Sequence, residues 1–232
     1  MTVAPAKVAV LASGRGSNLA ALLEARARGE LPVEFVLVGS DKASAPALRL
    51  AEAAGIPTLA LDPRSYPDRR AFDVDLFARL KASGAEWLVL AGFMRVLDGE
   101  ALRPWVGRII NIHPSLLPKY RGLHTHRRAL EACDAEHGAS VHFVTAELDG
   151  GPVIAQACLP IEPGDDEERL AQRLLPLEHR LLPAVLRLLA EGRLQWDGRA
   201  PRFDGELLVA PLRLGDHGLQ PQQRPAPAPS SP

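Results

Sequence analysis

Short apolar runs alternate with segments of helical spacing along the first two-thirds of the chain. The apolar runs predict strands over residues 7–12, 33–38, 58–61, 87–91 and 108–113. Apolar positions three and four residues apart predict helices over residues 18–25, 46–54, 68–83 and 125–132. Ser17 or Asn18 is the expected cap of the first helix. Strands that alternate with helices in this way predict parallel pairing.

The last third of the chain follows a different pattern. Strands are predicted over residues 140–144 and 153–159, joined across Asp149, Gly150 and Gly151. A long helix is expected over residues 167–191, where Pro176 and Pro183 should kink or divide it. Short strands are expected within residues 194–209. The sequence thus predicts one domain over residues 1–212, followed by a flexible tail rich in Pro and Gln over residues 213–232.

The predicted fold class is α/β, with a Rossmann-like, open and mostly parallel sheet that carries helices on both faces. The predicted strands are apolar on both sides, as expected for a sheet that is covered on both faces. Open sheets of this kind bind ligands at the carboxyl ends of their strands. We therefore expect a ligand cleft at that edge.

The composition argues against several classes of protein, namely nucleic-acid-binding, disulfide-rich and membrane-spanning ones. Hydrophobic residues make up 47% and charged residues 24%, and the formal net charge is -1. These values are typical of a globular domain and provide no broad basic surface for nucleic acid. Two cysteines are too few for a disulfide scaffold, and no apolar run approaches the ~20 residues of a membrane span. We expect a cytoplasmic protein without nucleic-acid or membrane partners; the sequence does not specify its oligomeric state.

A glycine turn lies between the first predicted strand and the first predicted helix. Gly14 and Gly16 allow backbone N–H groups to converge near the helix start, which favours an anion such as phosphate. A dinucleotide fingerprint needs a third glycine where Leu19 stands. A small phosphate ester therefore fits better than NAD, although an ordinary turn explains the pattern equally well.

Asn111 and His113 end the fifth predicted strand, where Pro114 stops the ladder. Residues two apart in a strand face the same side, so the amide and the imidazole should point together. An amide donor beside a titratable ring suits acyl transfer, although a half-buried polar pair would also explain them. Asp149 would stabilise the imidazolium if its loop folds back toward His113; otherwise it belongs to an ordinary turn.

The sequence gives less support to a metal site or to a serine hydrolase. His124 and His126 could form half of a zinc site, but no further ligand stands at a typical spacing, so we expect no metal. The Gly-x-Ser-x-Gly pattern of serine hydrolases is absent from the sequence.

Six segments, taken together and in order, resemble the phosphoribosylglycinamide formyltransferase family of folate-dependent formyltransferases. The resemblance extends from about Lys7 to about Gly205. The segments that carry it are residues 14–18, 91–97, 111–120, 122–126, 136–144 and 147–152. The resemblance implies the formyltransferase fold and the transfer of a formyl group from 10-formyltetrahydrofolate, the co-substrate, to the amine of glycinamide ribonucleotide in purine synthesis.

The resemblance also implies roles for individual residues. Asn111, His113 and Asp149 match the family's catalytic trio. Residues that match the ribonucleotide site are Gly16, Ser17, Asn18 and Glu178. Residues that match the folate pocket are Arg69, Met94, Arg95, Val96 and Leu97, together with Asn111. The N-terminal part of the domain would thus bind the ribonucleotide, and the C-terminal part would bind folate and carry the catalytic groups.

Related enzymes supply the alternative functions. Formyl-folate hydrolases share much of the catalytic core but usually carry an N-terminal regulatory domain, whereas about six residues precede the first strand here. Enzymes that formylate methionyl-tRNA have an additional C-terminal domain and a basic surface, and nucleotide-sugar formyltransferases are longer. A non-catalytic module that binds a phosphate or a dinucleotide is the alternative from another class, and the Asn111–His113 pair argues against it.

Overall fold

The computed structural model describes residues 4–222. Its helices are α1 (Ser17–Ala27), α2 (Pro46–Ala53), α3 (Arg69–Ala82), α4 (Gly99–Leu102), α5 (Thr125–Glu131) and α6 (Glu167–Ala190). Its first seven strands are β1 (Ala6–Leu11), β2 (Val33–Ser40), β3 (Thr58–Ala60), β4 (Trp87–Leu90), β5 (Ile109–His113), β6 (Glu136–Phe143) and β7 (Val153–Pro160). Five short strands follow: β8 (Leu194–Trp196), β9 (Pro201–Phe203), β10 (Glu206–Leu207), β11 (Leu212–Gly215) and β12 (Gly218–Gln220).

Nine strands form one sheet in the order β12-β11-β7-β6-β5-β4-β1-β2-β3. The five strands from β3 to β5 in this order pair in parallel, whereas β6 is antiparallel to both β5 and β7. The predicted mostly parallel α/β sheet is therefore confirmed. A separate small sheet contains β8, β9 and β10.

The core consists of two layers, one on each face of the large sheet. Alternate residues of β1 point to opposite faces, so Val8 and Val10 join one apolar cluster and Ala9 and Leu11 join the other. Residues of α1, α2 and α6 complete the first cluster, and residues of α3 complete the second. Helices thus cover both faces, and the carboxyl edge of the parallel strands remains open between them.

Helix α6 is continuous although it contains Pro176 and Pro183. Of the two predicted effects, kinking or division, division is wrong, because one helix runs through both prolines. Each proline removes one backbone hydrogen bond, but the apolar face of α6 is buried from Leu170 to Leu189. That burial, against α1 and the sheet, favours a single helix over two shorter ones.

The predicted tail boundary at residue 213 is also wrong. Residues 212–220 form a hairpin in which β11 pairs in parallel with β7 and antiparallel with β12. Leu212 is fully buried, and Leu214 and Leu219 pack against the core, which explains why this segment joins the sheet. Residues 223–232, the rest of the predicted tail, lie outside the described range. Within residues 4–222, no helix is both long and apolar enough to cross a bilayer.

Candidate active site

A cavity of about 570 Å³ opens at the carboxyl edge of the parallel strands. Its walls come from the segment that follows β4, from the end of β5, from the start of α5 and from the loop between β6 and β7. This volume lies in the range of small-molecule sites. The cleft predicted at this edge of the sheet is confirmed.

Asn111, His113 and Asp149 all line this cavity, and their side chains meet at one wall. The Nδ1 atom of His113 lies 3.5 Å from the Oδ2 atom of Asp149. The Nδ2 atom of Asn111 lies 3.5 Å from the Oδ1 atom of the same carboxylate. The loop between β6 and β7 therefore folds back toward β5, as is required for Asp149 to stabilise the imidazolium of His113.

The proton of His113 can be assigned from its contacts. Nε2 lies 2.9 Å from the backbone carbonyl oxygen of Tyr120, which can only accept a hydrogen bond, so Nε2 donates. Burial lowers the pKa of His113 below its ordinary value, and the Tyr120 contact and the Asp149 charge oppose this effect only in part. The resting ring is thus neutral at neutral pH, with its lone pair on Nδ1.

His142, a site residue that was not predicted from the sequence, holds the amide of Asn111. The two residues stand opposite each other in the antiparallel β5–β6 pair. Nδ1 of His142 donates to the carbonyl of Phe143 at 2.8 Å, so Nε2 accepts from Nδ2 of Asn111 at 3.1 Å. This contact turns the amide nitrogen of Asn111, with its second hydrogen, toward the Asp149 side of the cavity.

The backbone around Asp149 explains how its carboxylate reaches the wall. Asp149 has a φ of 47°, in the left-handed region that aspartate tolerates better than most residues. A Cβ at Gly151 would lie 1.8 Å from the carbonyl oxygen of Phe143, so only glycine lets this loop approach β6 so closely. The Gly122 N–H donates to Oδ2 of Asp149 at 2.9 Å.

The side chain of Asp149 is 10% exposed. Burial raises the pKa of Asp149, but the contact with His142, the hydrogen bond from the Gly122 N–H and the neighbouring His113 ring together outweigh burial and hold the pKa of this carboxyl below its usual value. Asp149 is therefore ionised at neutral pH, beside a neutral His113.

The glycine turn leads into α1 without a side-chain cap. The predicted cap at Ser17 or Asn18 is wrong, because Gly16 occupies the capping position with a φ of 79°. Asn18 instead donates through Nδ2 to Oε2 of Glu178 on α6 at 2.9 Å, and both residues line the cavity. Burial raises the pKa of Glu178, against a smaller opposite effect of this hydrogen bond. Gly16 and Ser17 lie at the start of α1, outside the cavity lining.

Replacing Gly16 with alanine is expected to destabilise the protein by about 1–3 kcal/mol, because the backbone is left-handed there and a Cβ would lie 2.8 Å from Cβ of Ala47. Urea unfolding measures the change. Gly14→Ala is the matched control, since a Cβ at Gly14 meets nothing within 4 Å. Equal unfolding midpoints for the two variants would contradict this explanation of the turn.

The segment from Met94 to Leu97 forms another wall of the cavity. Its start is tied to the glycine turn, because the Oγ atom of Ser13 accepts from the Met94 N–H at 2.9 Å. At its end, the fully buried Asp73 accepts from the Asp98 N–H at 2.6 Å. Contacts from Ser13, beside the glycine turn, and from Asp73 on α3 therefore fix the two ends of this wall.

Arg95 and Arg69 differ in their placement. The Arg95 guanidinium stacks over the Phe72 ring at 4.5 Å, and the residue lines the cavity. Arg69, the first residue of α3, is exposed and lies outside the cavity lining. The structure thus brings Met94, Arg95, Val96, Leu97 and Asn111 to one cavity, whereas Arg69 stands apart from it.

The histidines within residues 113–142 lie in separate environments. His113 and His142 belong to the wall described above, and His126 pairs with His137. Within residues 4–222, no group of three or more His, Cys, Asp or Glu side chains is arranged to hold a metal ion.

Comparison with known proteins identifies the family of this chain. The profile of the family described as "Formyl transferase" matches residues 6–186. The Escherichia coli phosphoribosylglycinamide formyltransferase is 46% identical over 201 residues, which cover 87% of this chain and 95% of that protein. A trifunctional purine biosynthetic protein adenosine-3 of Drosophila pseudoobscura pseudoobscura is 49% identical over 192 residues, which cover 82% of this chain. The match spans only 14% of that longer protein.

Solved structures agree with the sequence relatives. The phosphoribosylglycinamide formyltransferase of Coxiella burnetii, in complex with CHES, superposes with a TM-score of 0.85 at 44% identity, covering 88% of this chain and 96% of that chain. Glycinamide ribonucleotide transformylase 1 of Symbiobacterium toebii gives a TM-score of 0.83 at 45% identity, covering 87% and 95%. With the profile match and the Escherichia coli relative, these likenesses show that the chain belongs to the formyl transferase family, among the phosphoribosylglycinamide formyltransferases.

Proposed function

We propose that this chain transfers the formyl group of 10-formyltetrahydrofolate to the amine of glycinamide ribonucleotide, a step of purine biosynthesis. The observation that carries the proposal is the meeting of Asn111, His113 and Asp149 at one wall of the cavity. The names of the relatives give the reaction and its ribonucleotide substrate. Formyl-folate is the co-substrate that supplies the activated formyl group.

The reaction needs no protein nucleophile, because the ribonucleotide supplies an amine. Attack of that amine on the formyl carbon places negative charge on the formyl oxygen and positive charge on the nitrogen. The protein must therefore hold an oxyanion and move one proton from the new ammonium to the departing folate nitrogen. No metal is required for either task.

His113 suits the proton transfer because its resting ring is neutral with a free lone pair on Nδ1. Nδ1 accepts the proton of the ammonium, and the resulting imidazolium lies 3.5 Å from the Asp149 carboxylate. The ring then returns the proton to the leaving nitrogen. Because burial favours the neutral form of the ring, His113 acts first as a base and only then as an acid.

Asn111 suits the oxyanion. One hydrogen of its Nδ2 is donated to His142, which fixes the plane of the amide. In the free protein the second hydrogen is directed at Oδ1 of Asp149, 3.5 Å from Nδ2, and on substrate binding it would turn to the formyl oxygen as that oxygen develops its charge. Because the contact with His142 keeps the amide in place, this donor can stabilise that charge with little movement.

Replacing Asp149 with asparagine is expected to lower kcat by about 10²–10⁴-fold, because a neutral amide cannot stabilise the imidazolium. The Asp149 charge raises the pKa of His113, so in the variant the acid limb of kcat/KM should shift to lower pH. His113 acts as a base, so activity is present above the pKa of His113 and is lost as pH falls through that pKa. Asp204→Asn, which alters a surface pair with Arg193, is the control, and an unchanged pH profile in Asp149→Asn contradicts the assignment.

The ribonucleotide is proposed to bind along the side of the cavity that contains Asn18 and Glu178. The N-terminal backbone of α1 at Gly16 and Ser17 would hold the phosphate, since helix starts favour anions. The Oδ1 atom of Asn18 is buried without a partner in the described residues, which leaves an acceptor for the ligand.

Formyl-folate is proposed to bind against the segment from Met94 to Leu97. Four apolar side chains near the cavity are exposed in the free protein: Met94 (63%), Val96 (45%), Leu123 (67%) and Leu148 (50%). Clustered apolar exposure marks a ligand surface, and a flat heteroaromatic ring would cover it. Because Arg69 lies outside the cavity lining, we propose that it contacts only an outer, charged part of the folate. The division into an N-terminal ribonucleotide-binding part and a C-terminal catalytic part also remains a proposal.

A two-step absorbance assay tests the function. Protein is mixed first with 10-formyltetrahydrofolate, and glycinamide ribonucleotide is added later. An absorbance change that begins only with the ribonucleotide supports transfer. A change before that addition supports formyl-folate hydrolysis instead, and no change in either step removes the enzymatic proposal and favours a module that only binds ligands.

A further inference from the structure

His126 and His137 form a hydrogen-bonded pair beside the cavity. His126, near the start of α5, lines the cavity, and His137 in β6 is 1% exposed. Nδ1 of His126 lies 2.9 Å from Nε2 of His137, with the ring centroids 4.9 Å apart and the planes at 70°. Neither ring is used by the mechanism above.

The contacts of the pair assign its protons. The backbone of Pro114, which offers only a carbonyl as acceptor, raises the pKa of His137, so the nitrogen of His137 that does not face His126 carries its proton toward that carbonyl. In a neutral ring one nitrogen donates and the other accepts, so Nε2 of His137 accepts. The proton between the two rings therefore belongs to Nδ1 of His126, and Nε2 of His126 carries a lone pair.

The cavity wall next to His126 is rich in acceptors. Of the two nitrogens of His126, only Nε2 is left to meet a ligand. Glu167 and Glu178 of α6 line the same cavity, and their spacing of about three helical turns places them on one face of that helix. Glu167 is paired with Arg127 at 2.9 Å, so the acceptors left for a ligand are Nε2 of His126 and the Glu178 carboxyl, one oxygen of which accepts from Asn18. These acceptors complement a ligand that offers hydroxyl or N–H groups.

We propose that His126 is a binding residue for the ribonucleotide, with its Nε2 accepting a hydrogen bond from a hydroxyl or N–H group of that substrate. His137 is a positioning residue that holds the ring of His126 in this tautomer. The inference rests on the proposed function, because the ribonucleotide is the substrate that carries a sugar and an amine.

The charges around the pair keep both rings neutral. Burial lowers the pKa of His126, against an opposite effect of Glu167 on α6, and His113 on β5 lowers it further. Burial and His126 lower the pKa of His137 to about 4, with Asp134 opposing. The acceptor on His126 is therefore present at neutral pH and is lost only when pH falls through its lowered pKa.

Two substitutions at His126 separate binding from structure. In His126→Asn the side-chain amide replaces the Nδ1 side of the ring and removes the acceptor at Nε2, whereas in His126→Gln the longer side chain can return an oxygen there. We expect the Kd for glycinamide ribonucleotide, measured by calorimetry, to rise about tenfold in His126→Asn and to stay within about twofold of wild type in His126→Gln. The Kd for a formyl-folate analogue that cannot transfer its group should not change.

The possible outcomes are distinct. A ribonucleotide Kd that is unchanged in His126→Asn, or a change confined to the folate analogue, overturns the inference while the proposed function stands. A wild-type protein that does not bind the ribonucleotide overturns both. Ribose 5-phosphate identifies the donor: a tenfold effect that persists assigns a hydroxyl, and one that disappears assigns the glycinamide N–H.

Nitrogen-15 NMR of the imidazoles in the wild-type protein provides a test that does not depend on variants. We expect His126 to carry its proton on Nδ1 at pH 7, with the Nε2 signal shifting when the ribonucleotide is added. The inference is overturned if free His126 carries its proton on Nε2, or if the Nε2 signal does not shift when the ribonucleotide is added.

Discussion

Replacing His113 with alanine is expected to lower kcat by about 10²–10⁴-fold, the usual effect of removing a general acid–base group. The ring is the only titratable group whose free lone pair faces Asp149 at this wall of the described structure. Without it, the ammonium formed by the attack has no partner to take its proton. The KM for each substrate should change much less, because the ring acts on charge that appears during the reaction.

Steady-state turnover at saturating substrate measures this loss. His217→Ala is the matched control, since that histidine is exposed on the turn between β11 and β12 and should retain wild-type activity. Urea unfolding of His113→Ala establishes that the variant is folded. Near-normal turnover in the folded variant would remove His113 from the mechanism.

Replacing Asn111 with alanine is expected to lower kcat by about 10²–10³-fold, the usual effect of losing one oxyanion donor. The amide of Asn111 is held by His142 and directs its second hydrogen toward the Asp149 side of the cavity. The loss should appear in kcat and in kcat/KM equally, because the interaction forms only in the transition state.

Gln172→Ala is the control for Asn111→Ala, because it removes a carboxamide from an exposed position on α6. A second comparison separates donation from packing: Asn111→Asp keeps the shape of the side chain but replaces the donor with an acceptor. We expect Asn111→Asp to be as impaired as Asn111→Ala. Activity close to wild type in Asn111→Asp would exclude the oxyanion role.

The central pair of the site could be predicted from the sequence because its geometry is local. Asn111 and His113 stand two residues apart in one strand, and Pro114 ends that strand, so their shared direction follows from strand geometry alone. The position of Asp149 could not be predicted from strand geometry, because it depends on a left-handed backbone and on the close approach of Gly151 to β6. The family resemblance supplied that assignment.

The contacts that orient the site depend on tertiary structure. His142 reaches Asn111 only through the antiparallel register of β5 and β6, and a single polar residue between Val141 and Phe143 was the available signal. The Tyr120 carbonyl reaches His113 from a residue with a φ of 58°, which tyrosine rarely adopts. The hairpin at residues 212–220 was missed because its strands are short and lie beside a segment rich in Pro and Gln.

A crystal structure with an analogue of the tetrahedral intermediate tests the central claim most directly, namely that these three side chains act on one carbonyl carbon. We expect Nδ2 of Asn111 and Nδ1 of His113 to lie within about 2.7–3.1 Å of the groups that represent the oxyanion and the attacking nitrogen. We also expect the Asp149 carboxylate to lie behind the imidazole. An analogue bound with its central carbon away from this wall, out of hydrogen-bond reach of both side chains, would contradict the account.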